Sequence, residues 1–456
     1  MSTAIHPKLG ISFAASLAIV GCVNGERLTQ PHPGPMASVS TTLSTAPLAY
    51  VTNVVSGTVS VIATGTNTVV ATVAVGSLPH GVAITPDGAF AYVANLGSNT
   101  VSVIATATNT VVATVGMGAG PGGVAITPDG AFVYVTTGNT VSVIATATNT
   151  VLATVGVGVN AGGVAIVPNG SFAYVSNTAD NTVSVIATAT NTVVATLGVG
   201  VAPGYVAITP DGVFAYVTNN QSNTVSVIAT GTNTVAATVG VGTNPYGVAI
   251  TPDGAFAYVV NGGSNTVSVI ATATNTVVAT VSVGNFPQGM AITPDGTLAY
   301  VANTQSHTVS VIATATNTVV ATVSVGNTPR DVAFTPQVVG DVTIDIKPAS
   351  DPNSIQCLNR NETITVAILS TDDFDATTVD HTTVTFEGAG EMHFDNKTDA
   401  LRRHEEDVDL DGDIDLVLHF RLRDTDLTCD ATEGTLTGAT FAGTPITGTD
   451  EIRMVQ

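Results

Sequence analysis

The sequence predicts an all-β protein: a seven-bladed β-propeller closed by its C-terminal strand, followed by an antiparallel β-sandwich-like domain. Three observations carry that prediction. Tyr50, Tyr92, Tyr134, Tyr174, Tyr216, Tyr258 and Tyr300 each sit in an AYV or VYV triplet, spaced by 42 residues five times and by 40 once; periods of this length belong to solenoids and propellers. Each unit holds four short runs, "GVAIT", "FAYV", "TVSVIAT" and "TVVATV", apolar or Thr-rich on both faces. Charged residues make up 10% of the chain, against about a quarter in ordinary domains, which suits sheets stacked radially between neighbouring sheets.

The elements follow in chain order. The start reads "MSTAIHPKLGISFAASLAIVGC". Its apolar run, Ile11 to Gly21, is too short to span a bilayer as a helix and has the length of a signal-peptide core. "IVGC" resembles the bacterial lipobox, which implies that Cys22 takes a lipid and becomes the mature N-terminus; an ordinary secretory signal is the alternative. Residues 1–22 therefore read as a signal peptide. Residues 23–48, rich in Pro, Ser, Thr and Gly, read as a flexible tether. The expected location is the cell envelope, lipid-anchored or secreted, with the membrane touched only through the anchor.

Residues 49–336 carry the repeat. Pro-Asp-Gly, as at Pro86, Asp87 and Gly88, punctuates the first two strands of a unit, Pro pre-setting the turn and Gly relieving its exit. The chain enters at "AYVTN" with no preceding "VAIT" strand, and that strand turns up at the other end as "DVAFTP", Asp331 to Pro336. The last strand should therefore complete the first blade, which removes an exposed sheet edge. The pattern "YVAN..SNTVSVIATATNTVVATV.VG..P.GVAITPDG" resembles the YVTN-type β-propeller repeat of bacterial and archaeal surface proteins. The resemblance implies a cell-surface, surface-layer-like protein. Relatives carry an Asp after "VSVI", whereas Ala105, Ala145 and Ala187 stand there in this chain, leaving its blades unusually uncharged. A transmembrane barrel needs strands of about 9 to 11 residues and aromatic girdles; these strands are shorter and aromatics are 5%.

The copies diverge on one face, in the loops before "GVAIT" and after "YVTN", where a binding surface can be written. The residue opening each innermost strand is His80, Gly122, Gly162, Gly204, Tyr246, Gln288 or Arg330. Ring closure makes Tyr246, Gln288, Arg330 and His80 consecutive, in blades six, seven, one and two, opposite three glycines. With Asp331 they form a candidate ligand-binding crescent; drift at idle positions is the alternative. Of the seven Asp between Ala49 and Pro336 five lie in PDG turns, so Asp180, Asp331, His80, His307 and Arg330 are the ionisable candidates for catalysis.

From residue 341 to 456 the composition changes. The formal charge balance is -6 over the propeller and -17 over this segment, an asymmetry that marks a domain boundary. "TITVAIL" and "DLVLHF" alternate as half-buried strands do, and the "IDIKP", "VAIL" and "FDATTV" signatures resemble an accessory β module of exported bacterial proteins. "DVDLDGDID" sets Asp407, Asp409, Asp411, Asp413 and Asp415 around Gly412. Carboxylates at the first, third, fifth and ninth places with Gly sixth match an oxygen-rich Ca²⁺ loop. The twelfth place is Leu418, not the Glu of a helical sensor, and zinc would want His or Cys. A solvated acidic turn is the alternative. Cys357 and Cys429 are expected to pair in an oxidising compartment, the alternative being two buried thiols.

The acidic balance, with Arg330 the one Lys or Arg between residues 49 and 336, excludes nucleic acid as a partner, since phosphate binding is driven by Lys and Arg. The expected function is non-enzymatic: a calcium-stabilised surface propeller that binds a glycan, a peptide or an envelope component. The alternatives are a propeller enzyme of lactonase or lyase type acting at the channel mouth, and a structural surface-layer component.

Overall fold

The structure, a computed structural model, describes residues 46–455 apart from 338–339, 347–352, 358, 360–361, 372–373, 391–403, 410–412 and 441–444. The expected signal peptide, Cys22 and nearly all of the tether lie outside the described residues, as do Asp411 and Gly412.

Seven four-stranded antiparallel sheets make the propeller. In the second blade the strands run outward from the axis as Pro79–Ile84, Phe90–Asn95, Thr100–Ala105 and Thr110–Gly116. The innermost strands neighbour one another in a closed cycle, with Pro329–Phe334 between Pro287–Ile292 and Pro79–Ile84. Pro329–Phe334 is the inner strand of the first blade and pairs with Leu48–Asn53 through Ala49↔Phe334, Tyr50↔Ala333 and Val51↔Val332. The ring is thus sealed by the end of the repeat, as the circular offset of the sequence requires.

Burial explains the repeat's composition. The second and third strands are buried along nearly their whole length, because each sheet is covered on both faces. That rules out polar alternation and selects Ala, Val and Ile. The outer strands expose Thr and Val on the rim. Between the third and fourth strands of every blade the register slips by one residue, as between Val103 and Ile104. Such a bulge twists the outermost edge away from flat pairing with another sheet.

A polar latch joins each blade to the next. The Tyr50 hydroxyl donates to Asn109 Oδ1 at 2.6 Å, Tyr92 to Asn149 at 2.8 Å and Tyr134 to Asn191 at 2.7 Å. Tyr174, Tyr216 and Tyr258 repeat the bond to Asn233, Asn275 and Asn317. The seventh, from Tyr300 to Asn67, joins the last blade to the first across 233 residues of sequence. Each of these Asn has positive φ, 52–53°, a conformation Asn tolerates better than most residues. One residue therefore both turns the chain and receives the latch. Burial pushes Tyr50 and Tyr300 up to about 12, so these hydroxyls stay protonated and able to donate.

The C-terminal domain encloses one apolar core, including Ile364, Phe386, Leu418, Phe420 and Leu436. A five-stranded sheet built on Val379–Phe386, Glu433–Thr440 and Pro445–Glu451 contributes to it, as does a four-stranded sheet built on Thr363–Ile368 and Asp415–Arg421. The central pairings are antiparallel. Two short edge pairings are parallel, Gly340–Asp341 with Pro445–Glu451 and Ser354–Gln356 with Arg453–Val455, a feature the alternation of single strands does not encode. Cys357 and Cys429 form a disulfide with Cα atoms 5.4 Å apart.

Removal of the closing hydroxyl by Tyr300→Phe is expected to lower the unfolding free energy by about 1–2 kcal/mol, read by chemical denaturation. An unchanged midpoint would mean that the seventh latch contributes nothing to closure.

Candidate active site at the channel mouth

A second set of bulges lies at the axis. Pro79 pairs with Asn95 and Val82 with Val93, so His80 and Gly81 together oppose the single residue Ala94. The same slip opens every innermost strand, including that of the fourth blade, where Ala161 stands in place of Pro. A bulge re-aims side chains and is common beside active sites. Here seven bulges ring one channel mouth and offer two positions per blade.

The second bulge position explains a column of glycines. A Cβ on Gly81 would sit 2.6 Å from Gly122 O, and one on Gly123 would sit 2.6 Å from Gly162 O. Neighbouring inner strands approach too closely for a side chain, and Gly is also found at positions 163, 247 and 289. The two exceptions are Tyr205 and Asp331. Both face the mouth, and together with His80, Tyr246 and Arg330 they line a cleft of about 600 Å³. Tyr205 was not singled out from sequence. Its signal was available as the break in the glycine column, one place beyond the position that drew notice.

The groups at the mouth are coupled. Arg330 donates from Nη1 to Gln288 Oε1 at 2.8 Å, and its charge acts on the Tyr205 phenol in the same cleft. It therefore ties the first blade to the seventh at the channel mouth. Gln288 is only 7% exposed and is not among the residues lining the cleft, so it braces Arg330. Asp331 Oδ2 accepts from the Val82 amide at 3.2 Å, reaching the second blade. Burial pushes this carboxyl up to about 6, against the opposing pull of two backbone amides and Arg330. Burial, and then the Arg330 charge, draw His80 down to about 4. Near neutral pH His80 is thus an uncharged base beside a fixed cation. Burial raises the Tyr205 phenol well above its ordinary value. The Tyr246 ring lies over Gly262, where a Cβ would come within 2.9 Å of it, and packs on Phe286 with centroids 5.8 Å apart.

Two other ionisable candidates have structural work. His307 has φ of 56° and accepts the Thr328 amide on Nδ1 at 3.0 Å. Asn181 and Asn265 play that part elsewhere, for Ala202 and Phe286. Asp180 accepts the Val159 amide at 2.7 Å. Neither lines the cleft.

In the acidic loop, Asp407, Asp409 and Asp415 bring one oxygen each within 4.8 Å of the others. Asp415 is fully buried, and its two oxygens accept the Ser370 and Val408 amides, both at 2.8 Å. Asp407 Oδ1 is buried without a hydrogen-bond partner. Asp413 stands outside this trio.

The model of a family described as "Lactonase, 7-bladed beta-propeller" matches residues 40–240 and 232–323. The chain belongs to this lactonase family. Among solved structures it is similar to hydrazine synthase of Kuenenia stuttgartiensis, at 25% identity over 65% of this chain and 99% of that one, with a TM-score of 0.55. A functionally unknown protein of Desulfotomaculum acetoxidans shares 23% identity over 64% and 99%, with a TM-score of 0.58. A candidate 6-phosphogluconolactonase from Bacteroides uniformis shares 19% over 63% and 99%, with a TM-score of 0.55; at these identities the last two show the fold alone. Among curated proteins none matches the chain. Membership of a lactonase family overturns the expectation of a non-enzymatic binding protein: uncharged blades describe how the disc is stacked and carry no information about the few groups at its mouth.

The Arg330 cation disfavours the imidazolium form of His80, so its removal must raise the His80 pKa. NMR titration is expected to show His80 half-protonated near pH 4 in the wild type and at distinctly higher pH in Arg330→Gln. Coincident titrations would separate the two groups.

Proposed function

We propose that the protein hydrolyses lactones at the mouth of its central channel. One observation carries this reading: in a member of a lactonase family, a neutral imidazole, a braced guanidinium and a protonated phenol converge on a single cleft. In the proposed step a water between His80 and the lactone gives its proton to the imidazole as its oxygen attacks the carbonyl carbon. Arg330, held by Gln288, stabilises the oxyanion that forms. Collapse of the tetrahedral intermediate breaks the ring C–O bond. The departing ring oxygen takes the proton back from His80, and the product is a hydroxy acid whose carboxyl proton passes to solvent. Asp331 sets the charge balance beside Arg330, and the Tyr205 phenol lines the same cleft.

The same reading places the enzyme outside the cytoplasm, supported by the lipobox-like "IVGC" ending in Cys22 and by the Cys357–Cys429 disulfide, a bond that persists in oxidising compartments. It assigns Ca²⁺ to the acidic loop, supported by the convergence of Asp407, Asp409 and Asp415 and by the hard-oxygen spacing of "DVDLDGDID". Calorimetry is expected to show Ca²⁺ binding at or below millimolar concentration, weakened in Asp407→Asn; a silent titration removes the site.

Assayed against a panel of γ- and δ-lactones, the purified protein is expected to turn over at least one. His80→Ala should lower kcat by about 100-fold or more with an unchanged circular dichroism spectrum. Full activity in that variant would remove His80 from the chemistry.

A further inference from the structure

The chemistry of the cleft also bears on what kind of lactone enters it. We propose, resting on the lactonase reading above, that the substrate is an uncharged lactone bearing an apolar substituent. Its carbonyl lies at His80 and Arg330, and its substituent lies along the opposite arc of the mouth.

Two independent observations support this. The first is electrostatic. Arg330 is the one Lys or Arg between residues 49 and 336, and its guanidinium is already engaged by Gln288, with Asp331 next to it in sequence. His80, drawn down to about 4, adds no positive charge near neutrality. A phosphorylated or carboxylated substrate would bring one or two negative charges to a site with almost no net positive charge, on a chain of formal charge -22. Desolvating such a group without a dedicated cation is costly, and the field of the whole chain opposes its approach.

The second observation is the surface of the far arc. More than half of the residues lining the cleft are Gly, Ala or Leu, and the arc from the third to the fifth blade is built on Gly122, Gly162 and Gly204. Exposed glycine backbone ordinarily offers amides and carbonyls to a polar ligand. Here several of those groups are taken. Thr136 Oγ1 accepts the Gly123 amide and donates to Gly162 O, each at 2.8 Å. Ser176 Oγ accepts the Gly163 amide at 2.9 Å and donates to Gly204 O. Thr218 Oγ1 accepts the Tyr205 amide at 3.0 Å and donates to Tyr246 O at 2.7 Å. With the carbonyls of Gly162 and Gly204 and the amides of Gly123 and Gly163 held in these bridges, the glycines present largely methylene surface, which Ala161, Ala202 and Leu96 extend. Of the polar side chains on this arc, Thr178 and Asn220 donate to Pro203 O and Pro245 O, and Asn160 and Gln221 stand alongside them. Such a wall favours a hydrocarbon group, whose burial is worth about 0.8 kcal/mol per methylene. A polyhydroxylated chain would lose its hydrogen bonds to water there and find few replacements.

The test uses the full-length protein and three ligands on one lactone ring: the bare ring, the ring with a six-carbon alkyl tail, and the ring with hydroxyls and a phosphate. Rates are measured on the lactones. Affinities are measured by calorimetry on the matching lactams, which resist hydrolysis. The alkyl-tailed lactone is expected to exceed the bare ring in kcat/KM by at least about tenfold and the phosphorylated one by more. The lactams should rank in the same order, and Ala161→Asp should shrink the gain from the tail. Preference for the phosphorylated compound in either readout overturns the proposal while leaving lactone hydrolysis standing. Tight binding of the alkyl lactam without turnover of any lactone supports the substrate class and defeats the hydrolytic reading. Equal affinity for all three lactams, or none, overturns the proposal.

Discussion

Seven tyrosine hydroxyls hold this disc together, each bonded to an asparagine in the next blade, and the seventh ties the end of the ring to its beginning. Each bond is worth only about 1 kcal/mol net, yet the latch does more than add stability. It fixes the angular position of every blade against its neighbour. It also forces the Pro329–Phe334 strand to complete the first blade on Leu48–Asn53. Without that closure Arg330 and Asp331 would lie at a chain end, on the opposite edge of the array from His80. With it, Asp331 reaches the Val82 amide in the next blade, and the cleft exists.

Repetition and difference divide the labour in this chain. The buried strands are almost interchangeable because each meets the same surroundings, sheet above and sheet below. The inner bulges are the places where copies are free to differ, and there the close approach of neighbouring strands sets a strict rule. Five second bulge positions are Gly because a Cβ has no room. At Tyr205 and Asp331 the rule is broken, and the two side chains that break it line the same cleft as Arg330. The one Lys or Arg of the propeller needs such a setting: Gln288 supplies an acceptor, and Asp331 supplies the opposite charge.

Much of this was legible in the sequence, for definite reasons. The tyrosine period gave seven blades because every latch needs its Tyr. The displaced "DVAFTP" strand gave closure because a propeller tolerates no missing inner strand. The crescent of His80, Tyr246, Gln288, Arg330 and Asp331 followed from closure and from divergence at one column. What escaped notice depends on geometry across the ring. Tyr205 belongs to a blade whose first bulge residue is Gly204, so it appeared to lie on the featureless side, and only the shape of the cleft across the ring brings it into the site. Gln288 appeared as a ligand contact, whereas the fold buries it beneath the guanidinium. His307 stood out as an ionisable group, although its role is that of the Asn residues it replaces. The enzymatic class was obscured by composition, since five or six groups among some 290 residues leave no trace in a charge count.

Native-state hydrogen exchange on the amides shared by Leu48–Asn53 and Pro329–Phe334 tests closure most directly, because these are the only inner-strand pairings made between the two ends of the repeat. If the ring is one cooperative unit, these amides exchange as slowly as those between Phe132–Thr137 and Pro121–Ile126, through global unfolding alone. Markedly faster exchange confined to the first blade would show that the seam opens by itself, and would contradict the account of how the site is assembled.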